Sequence, residues 1–389
     1  IKYVYFEYWV MLILFFISCF LLIYSYGLYP ALLWILNHFV KQHRVYNDAI
    51  PAFSILMAVY NEEKVIEEKL NSIFKQKHLL PSFEILVGSD ASSDNTNHII
   101  QKFAAEHSEI KLKVFEQRTG KPEIINQLVD NANFEILILT DANVLLQENA
   151  IQNLLKAFQE DSVGLAGGNI ISITKSKNGI GELEKTYINS ENRIKEWESN
   201  VFGKMMGPFG GFYGMRKKLF KKIPANFLVD DFYWCMHVLQ LGYKSLFVKE
   251  ALAVEDVPEN IQDEFNRKAR IGQGNFQNLI SFPFLLNLFT QNGFVFISHK
   301  LIRWLGPFLI VMMLVSNFIR IQTNQIFLWM FGLQCLPIAI TLLCFQWKES
   351  PKPLRIITYF YSMNAALMLG FFKFLFGKSK GTWQPTKRN

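Results

Sequence analysis

The segment FEILILTDAN, residues 134–143, joins a nearly continuous aliphatic run to two oxygen-bearing side chains. Such a run is typical of a central strand in a parallel sheet, which is buried on both faces. Residues i and i+2 of an extended chain point the same way, so Asp141 and Asn143 present oxygen atoms to one point. A hard divalent cation that bridges phosphates needs only one or two such ligands. A D-x-N sequence alone is usually a turn, but at the end of a buried strand it becomes a candidate cation site.

Strand-like and helix-like patterns alternate on both sides of this segment. This alternation predicts an α/β fold, with a mostly parallel sheet covered by helices on both faces. Ligands of such sheets bind beyond the carboxyl ends of the strands, where Asp90 and Asp141 are expected. The predicted strands are Phe53–Val59, Phe83–Val87, Lys111–Phe115 and Phe134–Thr140, and the predicted helices are Val65–Phe74, Thr96–Ala105, Glu123–Val129 and Ala150–Phe158.

The alternation ends beyond Gly164, where glycine-rich turns precede two predicted helices, Glu182–Ser199 and Phe227–Leu241. We expect this half to shape the acceptor side. Asp230 and Asp231 stand together at the start of the second helix, beside aromatic residues. A partly shielded carboxylate there could act as a general base toward a hydroxyl group. The alternative is that both acids simply stabilise the helix N-terminus through its dipole.

The loop after the second predicted strand, GSDASSDNT (88–96), offers small residues, backbone N–H groups and carboxylates at a helix start. Asp94 or Asn95 is expected to cap that helix. Asp90 lies too early to cap it and is therefore available to a base or a ribose.

Four apolar segments predict membrane helices at both ends of the chain. Residues 8–37 contain no charged residue or histidine, which is long enough to cross a bilayer. This run is too long for a signal peptide, although a broken hairpin remains an alternative. The charge-free stretches near the other end are Trp304–Ile319, Ile321–Trp347 and Ile356–Phe372.

The predicted organisation has five parts. They are an N-terminal transmembrane helix and linker (1–45), an α/β domain (46–277), an interfacial amphipathic segment (278–298), three transmembrane helices (299–377) and a basic tail (378–389). Directly after the α/β domain, the apolar segment Asn278–Phe289 is too short to span a membrane and is interrupted by a proline. A helix lying in the membrane interface is expected there, with a buried core segment as the alternative.

Charge and cysteine content exclude several classes of protein. The net charge of +7 comes largely from basic residues that flank the apolar segments. Basic residues in that position typically contact lipid headgroups. The sequence between the apolar segments contains no basic stripe interleaved with aromatic residues, so nucleic-acid binding is not predicted. The four cysteines form no CxxC pair, and the seven histidines show no ligand spacing, so neither a disulfide scaffold nor a zinc site is predicted.

Five spaced motifs, taken together, resemble those of family 2 of the inverting glycosyltransferases, which have the GT-A fold. The resemblance covers about residues 54–277. The motifs are AVYNEE (58–63), SDASSD (89–94), RTGK (118–121) followed by Asn126, TDAN (140–143) and the acid pair Asp230-Asp231.

This resemblance implies roles for individual residues. Donor-binding residues would be Tyr60, Asn61 and Glu62, which face the nucleotide, Asp90 at the base or ribose, Lys121 near the diphosphate, and Asp141. Asp141 and Asn143 would hold a divalent cation, Mg²⁺ or Mn²⁺. The second acid of the pair, Asp231, would be the catalytic base beside Asp230.

Two positions depart from the family pattern. Asn143 replaces the second acid of the D-x-D motif, which weakens the expected cation site. Processive polysaccharide synthases carry Q-x-x-R-W after the base, whereas this chain has RKARI at 267–271 and lacks the glutamine and tryptophan. Arg267 and Arg270 are still expected to bind donor diphosphate or acceptor, with the face of a charged amphipathic helix as the alternative.

The resemblance implies a membrane-bound hexosyltransferase that transfers sugar with inversion from a nucleotide-sugar, with a UDP-sugar as the expected donor. The acceptor would be a hydroxyl of a lipid-linked or polysaccharide molecule at the cytoplasmic face of a bacterial-type inner or plasma membrane. A processive synthase of the hyaluronan, chitin or cellulose type and an inactive membrane scaffold are the alternatives. One N-terminal and three C-terminal spans would place the basic tail on the far side, against the positive-inside rule.

Overall fold

The computed structural model describes residues 2–40, 49–173, 180–256, 260–345, 347 and 350–377, with side chains from residue 9 onward. The predicted basic tail (378–389) and most of the predicted linker lie outside these residues. A central α/β domain stands between helices at the two ends of the chain.

One eight-stranded sheet organises the domain, in the order β3-β2-β1-β4-β7-β6-β8-β5. The first four of these pair in parallel, and β7 then joins β4 antiparallel. The α/β prediction is confirmed. The strands are β1 Phe53–Val59, β2 Phe83–Asp90, β3 Ile110–Phe115, β4 Ile136–Thr140, β5 Val144–Leu146, β6 Val163–Ile173, β7 Phe212–Arg216 and β8 Lys244–Asp256.

Helices cover both faces of the sheet. The described helices of the domain are α3 Ile66–Phe74, α4 Thr96–Glu106, α5 Lys121–Asp130, α6 Ala150–Lys156, α7 Ile180–Phe202, α8 Asp230–Gln240 and α9 Ile261–Ser281. Strand β1 shows how the layers divide, because alternate side chains of a strand point to opposite faces. Phe53, Ile55 and Met57 pack into one hydrophobic cluster, whereas Leu56 and Ala58 pack into the other. Every residue of β1 is buried, as expected for a central strand.

Strands β5 to β8 were not predicted from the sequence. β6 and β7 are interrupted by glycines, which weaken a strand pattern. β5 is only three residues long, and β8 carries charged residues that break its alternation. β8 pairs with both β6 and β5, and this pairing places Glu255 opposite Val144, next to the predicted cation residues.

Among the described residues, three helices are long and apolar enough to cross a membrane: Trp9–Phe39, Gln325–Cys344 and Lys352–Phe376. The first is one continuous run of α1 (Lys2–Ile23), a π-helical turn (Tyr24–Leu28) and α2 (Tyr29–Phe39), without the hairpin that was the alternative. The other two are α13 and α14. A further pair, Gln291–Trp304 and Gly306–Arg320, qualifies only as one unit that is bent by 60°. The bilayer itself, and the side on which the domain lies, stay predictions.

The segment 278–298 differs from the single interfacial helix that was predicted. Its first residues are the end of α9, a 3-10 turn follows at Pro283–Leu286, and a short helix, α10, spans Gln291–Phe296. Phe282 and Leu285 are buried against the domain, while Phe289 is fully exposed. The proline and the turn at Asn287 prevent one continuous amphipathic helix. A second π-helical turn (Ile297–Leu301), α11 (Ile302–Trp304) and α12 (Gly306–Arg320) complete this end of the domain.

Candidate active site

A cavity of about 1110 Å³ opens beyond the carboxyl ends of β1 and β4. This is the edge where a parallel sheet is expected to bind ligands. Most of the predicted site residues meet in it. Those that line the cavity are Glu62, Lys121, Asp141, Asn143, Asp230, Asp231, Arg267 and Arg270. Tyr60, Asn61 and Asp90 do not line it.

The tight link between β4 and β5 holds the two predicted cation ligands. The backbone N–H of Asp141 donates to the carbonyl of Gly211 on the neighbouring segment. Asn143 donates from Nδ2 to Oε1 of Glu255 at 2.9 Å, so Glu255 on β8 is a third oxygen-bearing side chain at this point of the cavity. Sequence reasoning missed Glu255 because its strand was not recognised.

A fully buried lysine supports this link from below. Lys69 on α3 donates to Oγ1 of Thr140 at 2.7 Å and to the carbonyl oxygen of Val144. These two contacts bracket the Asp141–Asn143 turn. Burial lowers the pKa of Lys69 to about 7, although Asp141 acts in the opposite direction. A buried cation with two well-placed acceptors fixes the turn, and sequence reasoning did not identify it.

Lys121 stands between the predicted cation site and the acid pair. It is the first residue of α5, after Gly120 at φ 89°, a backbone conformation that glycine adopts readily. Its ammonium nitrogen lies 2.8 Å from Oδ1 of Asp141 and 3.9 Å from Oδ2 of Asp230. Burial alone would lower the pKa of Lys121, but Asp141 and Asp230 raise it above its ordinary value. Lys121 is therefore a permanent cation that faces Asp141, Asp230 and Asp231.

Asp230 and Asp231 begin α8 and both face the cavity. One oxygen of Asp231 accepts a hydrogen bond of 2.8 Å from the N–H of Phe232. Burial, followed by the neighbouring charge of Asp230, raises the pKa of Asp231 to about 6. A carboxylate whose pKa approaches the working pH is suited to accept a proton from a hydroxyl. Oδ2 of Asp230 is buried without a hydrogen-bond partner.

Two glycines make room for this acid. A Cβ at Gly210 would lie 3.0 Å from Oδ2 of Asp231, and one at Gly207 would lie 2.7 Å from the ring of Phe232. Gly207 also has φ +86°, which a larger residue rarely adopts. The turn at 207–211 thus allows the carboxylate to face open space.

Asp90 was predicted to contact a base or ribose directly, but in this structure it does not line the cavity. Its carboxylate is fully buried at the end of β2 and accepts from Nε of Arg118 at 3.0 Å and from the N–H groups of Thr119 and Gly120. The guanidinium of Arg118 stacks 3.4 Å from the ring centroid of Tyr60. Because Arg118 lines the cavity, Asp90 and Tyr60 act on that cavity through it.

Asn61 joins two of the resembling motifs. Its backbone lies at φ 52°, and its side-chain oxygen accepts from the N–H of Ser93 at 2.8 Å. Glu62 continues the link, since its N–H donates to Oγ1 of Thr96 at 2.8 Å. The motif at the end of β1 and the loop after β2 therefore form one unit, from which Ala58 and Glu62 reach the cavity.

Arg267 and Arg270, which were predicted together, have different surroundings on α9. Arg267 is paired with two buried acids, Glu184 and Glu264, so its guanidinium is held within the protein. Arg270 donates only to the carbonyl of Leu228 among the contacts described, at 3.3 Å, and its side chain is exposed toward the cavity. Arg267 therefore belongs to an internal ion-pair network, whereas Arg270 remains a candidate for binding donor or acceptor.

A polar stripe on α7 is the largest feature that sequence reasoning missed. The stripe comprises Glu184, Ile188, Glu191, Lys195 and Glu198, which recur at intervals of three or four residues on one face of the helix and are all buried. That spacing is visible in the sequence. It was overlooked because charged helix residues are normally solvated.

The oxygen ligands available at Asp141 fit a hard divalent cation. Among the described residues, no group of three or more His, Cys, Asp and Glu side chains could enclose a metal ion. A cation that shares its shell with phosphate oxygens and water needs only one or two protein carboxylates. The carboxylate of Asp141, the amide oxygen of Asn143 and the nearby carboxylate of Glu255 supply oxygen ligands of that kind.

Comparison with known proteins agrees with this geometry. Residues 54–224 match the family described as Glycosyl transferase family 2. A poly-beta-1,6-N-acetyl-D-glucosamine synthase of Staphylococcus epidermidis is 24% identical over 274 residues, which are 66% of this chain and 65% of that protein. The enzyme of the same name from Staphylococcus aureus (strain COL) is 24% identical over 282 residues, covering 67% and 65%. The matches thus span 65% of the length of these relatives.

A solved structure shares the fold over nearly the whole chain. The mannosyltransferase PcManGT from Pyrobaculum calidifontis, in complex with GDP-Man and Mn²⁺, superposes with a TM-score of 0.71 at 20% identity. The similarity covers 94% of this chain and 100% of that one. The resemblance seen in the sequence motifs is therefore confirmed: residues 54–224 match glycosyl transferase family 2, and the domain has the GT-A fold.

Proposed function

We propose that this protein is a membrane-bound, cation-dependent glycosyltransferase. It transfers a hexose with inversion from a nucleotide-sugar, a UDP-sugar in our expectation, to a hydroxyl of a lipid-linked or polysaccharide acceptor. The observation that carries the proposal is the convergence of Lys121, Asp141 and the Asp230-Asp231 pair on one cavity. The GDP-Man and Mn²⁺ of the Pyrobaculum mannosyltransferase support a nucleotide-sugar and a divalent cation here.

On the donor side, Lys121 and Arg270 bind the diphosphate. Both are cations on the cavity wall, so both oppose the negative charge that grows on the leaving nucleoside diphosphate. Asp141 and Asn143, with Glu255 beside them, would hold Mg²⁺ or Mn²⁺. That ion would supply further neutralisation of the leaving group. Tyr60, Asn61 and Asp90 act indirectly by fixing Arg118 and the loop beside the nucleotide.

On the acceptor side, Asp231 accepts the proton of the attacking hydroxyl. Its raised pKa makes it a better base than an ordinary aspartate while leaving it ionised near neutral pH. Asp230 keeps that pKa high through its own charge. The acceptor oxygen attacks C1 of the sugar from the face opposite the leaving diphosphate, which inverts the anomeric centre.

A polysaccharide product, as made by the staphylococcal relatives, is one acceptor class that this proposal includes. The missing Gln and Trp of the Q-x-x-R-W motif favour a single transfer over repeated addition. We place the domain on the cytoplasmic side, where nucleotide-sugars are made.

The test is a nucleotide-sugar panel with the full-length protein in lipid nanodiscs, followed by mass spectrometry of lipids and glycans. We expect one donor to be consumed, with a product one hexose heavier, and we expect EDTA to stop the reaction until Mn²⁺ or Mg²⁺ is restored. Full activity in metal-free buffer would contradict the cation assignment. Failure to bind any nucleotide-sugar would contradict the function itself.

A further inference from the structure

The cavity continues past Asp231 toward the membrane helices. Its far wall includes Tyr26 from the π-helical turn of the N-terminal helix, Lys300 and Arg303 from the second π-helical turn and α11, and Phe360 and Met363 from α14. Asp231 thus separates a donor side from a membrane side. A molecule on the membrane side would touch residues of two candidate membrane spans.

The two π-helical turns contact each other at this wall. Oη of Tyr24 lies 2.8 Å from Oγ of Ser298, and Oγ of Ser25 donates to the carbonyl oxygen of Ser298 at 3.0 Å. Arg303 donates to the carbonyl of Ser25 at 3.0 Å. Insertions of this kind inside helices occur frequently at functional sites. Here they turn polar side chains inward at the junction between the domain and its membrane helices.

Basic side chains pair with buried acids on this wall. Glu191 is buried and accepts from Lys300 at 2.8 Å, from Arg303, and from Nε2 of His299 at 3.2 Å. His299 also contacts Glu198 through Nδ1 at 2.7 Å. Among the described contacts, Arg303 uses three of its five N–H donors on Glu191 and Ser25, and Lys300 uses one of its three on Glu191.

Lys195 adds a further cation between this wall and Asp231. It is 3% exposed and lines the cavity, and its ammonium lies 3.3 Å from the ring centroid of Phe209. Among the described residues, Lys195 has no carboxylate at ion-pair distance; Glu191, Asp231 and Glu198 influence it from farther away. Burial, and then the charge of Lys300, lower its pKa to about 7. A buried cation without a counter-ion is costly, and a bound anion would remove that cost.

We propose that the membrane side of the cavity binds a phosphate group of the acceptor, held by Lys195 and Lys300. The phosphate belongs to the headgroup of a lipid, because the apolar side chains Phe360 and Met363 continue the same wall along α14. Holding this phosphate brings the acceptor hydroxyl to Asp231. This inference rests on the proposed function and names the class of its acceptor.

The experiment compares three probes with the full-length protein in nanodiscs of uncharged lipid. They are decyl phosphate, decanol and inorganic phosphate, and binding is measured by isothermal titration. We expect decyl phosphate to bind at least about tenfold more tightly than either other probe. Equal affinity for decyl phosphate and decanol would overturn the phosphate site. Equal affinity for decyl phosphate and inorganic phosphate would overturn the lipid assignment.

Variants of one helix then test the residue. Lys195→Met should weaken decyl phosphate binding by about tenfold or more, Lys195→Arg should retain most of it, and Arg193→Met, on the exposed side of α7, should leave it unchanged. Binding of UDP-sugar with Mn²⁺ should stay within about twofold in all three. Unchanged decyl phosphate binding in Lys195→Met would overturn the proposal. If the protein without any substitution did not bind a nucleotide-sugar, that result would instead contradict the proposed function.

Discussion

The ammonium nitrogen of Lys121 lies 2.8 Å from a carboxylate oxygen of Asp141. The lysine therefore occupies an oxygen that a divalent cation at Asp141 would need. When nucleotide and cation bind together, Lys121 has a second anionic partner in the diphosphate. If the proposed cation and diphosphate bind here, Lys121 and the cation would compete for Asp141 without the diphosphate and would both stabilise the complex when it is present.

Lys121→Met is expected to have opposite effects on two affinities. Mn²⁺ alone should bind several-fold more tightly, because its competitor at Asp141 is gone, whereas the nucleotide-sugar should bind about tenfold or more weakly, because a charge-assisted contact to the diphosphate is lost. Mn²⁺ titration by electron paramagnetic resonance and donor titration by calorimetry measure the two. Lys113→Met is the control, because Lys113 is exposed and donates a hydrogen bond to Gln127. A fall in Mn²⁺ affinity would show that Lys121 does not compete for Asp141.

Asp231→Asn should reduce transfer by roughly 10²- to 10⁴-fold, the usual contribution of a general base. The amide has nearly the same shape and can still accept from the N–H of Phe232, so folding and donor binding should be retained. Single-turnover transfer and donor titration measure the two properties. If donor affinity fell in parallel with the rate, Asp231 would be a donor-binding residue instead.

The pH dependence of transfer should follow Asp231. Because its pKa is raised to about 6, the base is protonated below that pH, and kcat/KM should fall about tenfold per pH unit in the acid limb. The sign for stability is the reverse of the usual aspartate case. Folded Asp231 binds its proton more tightly than the unfolded residue, so its favourable contribution exists below the ordinary value of 3.8 and is lost as the pH rises through about 6. A rate that stays flat down to pH 5 would exclude Asp231 as the base.

Arg267→Met and Arg270→Met should separate stability from binding. Arg267 and Lys268 together neutralise two buried acids, Glu184 and Glu264, so removing Arg267 costs up to the roughly 3–5 kcal/mol of a broken buried ion pair. We therefore expect Arg267→Met to lower the thermal midpoint strongly. Arg270→Met should leave that midpoint nearly unchanged and weaken donor binding. Thermal unfolding and donor titration of both variants decide this, and the reverse pattern would contradict the assignment.

Lys69→Met should weaken the cation site without touching it. The methionine fills similar space but cannot donate to Thr140 or Val144, so the turn that carries Asp141 loses its support. Changes of this kind around metal ligands typically cost 10- to 100-fold in affinity. We expect a loss in that range for Mn²⁺, measured by titration, while the protein remains folded. An unchanged Mn²⁺ affinity would mean that the turn is rigid without the lysine.

The first half of the catalytic domain was readable from the sequence, because its strands are short aliphatic runs bounded by polar loops. Phe53–Val59 was predicted to the residue, and Asp141 and Asp231 were found because each directly follows or begins a recognisable element. The second half was not, because β6 to β8 carry glycines and charges whose partners come from distant parts of the chain. Glu255 lies in this second half. Lys69 lies in the first half, but it was also missed, because its importance depends on packing against the turn at Asp141.

Periodicity can also mislead in a direction that matters for function. The stripe Glu184, Ile188, Glu191, Lys195 and Glu198 has the spacing of a buried helix face but the composition of an exposed one. Glu191 and Glu198 can be buried because His299, Lys300 and Arg303 pack against them, and Glu184 because it pairs with Arg267. No local rule connects residues that lie about 100 positions apart.

The contact between the two π-helical turns makes the order of synthesis relevant to catalysis. Ser25 is made first and Ser298 long afterwards, so a nascent chain that has completed all eight strands still lacks Lys300 and Arg303. Until those residues emerge and dock against the first helix, Glu191 has no counter-charges and the lipid-facing end of the cavity has no wall. A chain that ends after β8 would therefore contain every strand of the sheet but would lack the basic residues that pair with Glu191 and form this wall of the cavity.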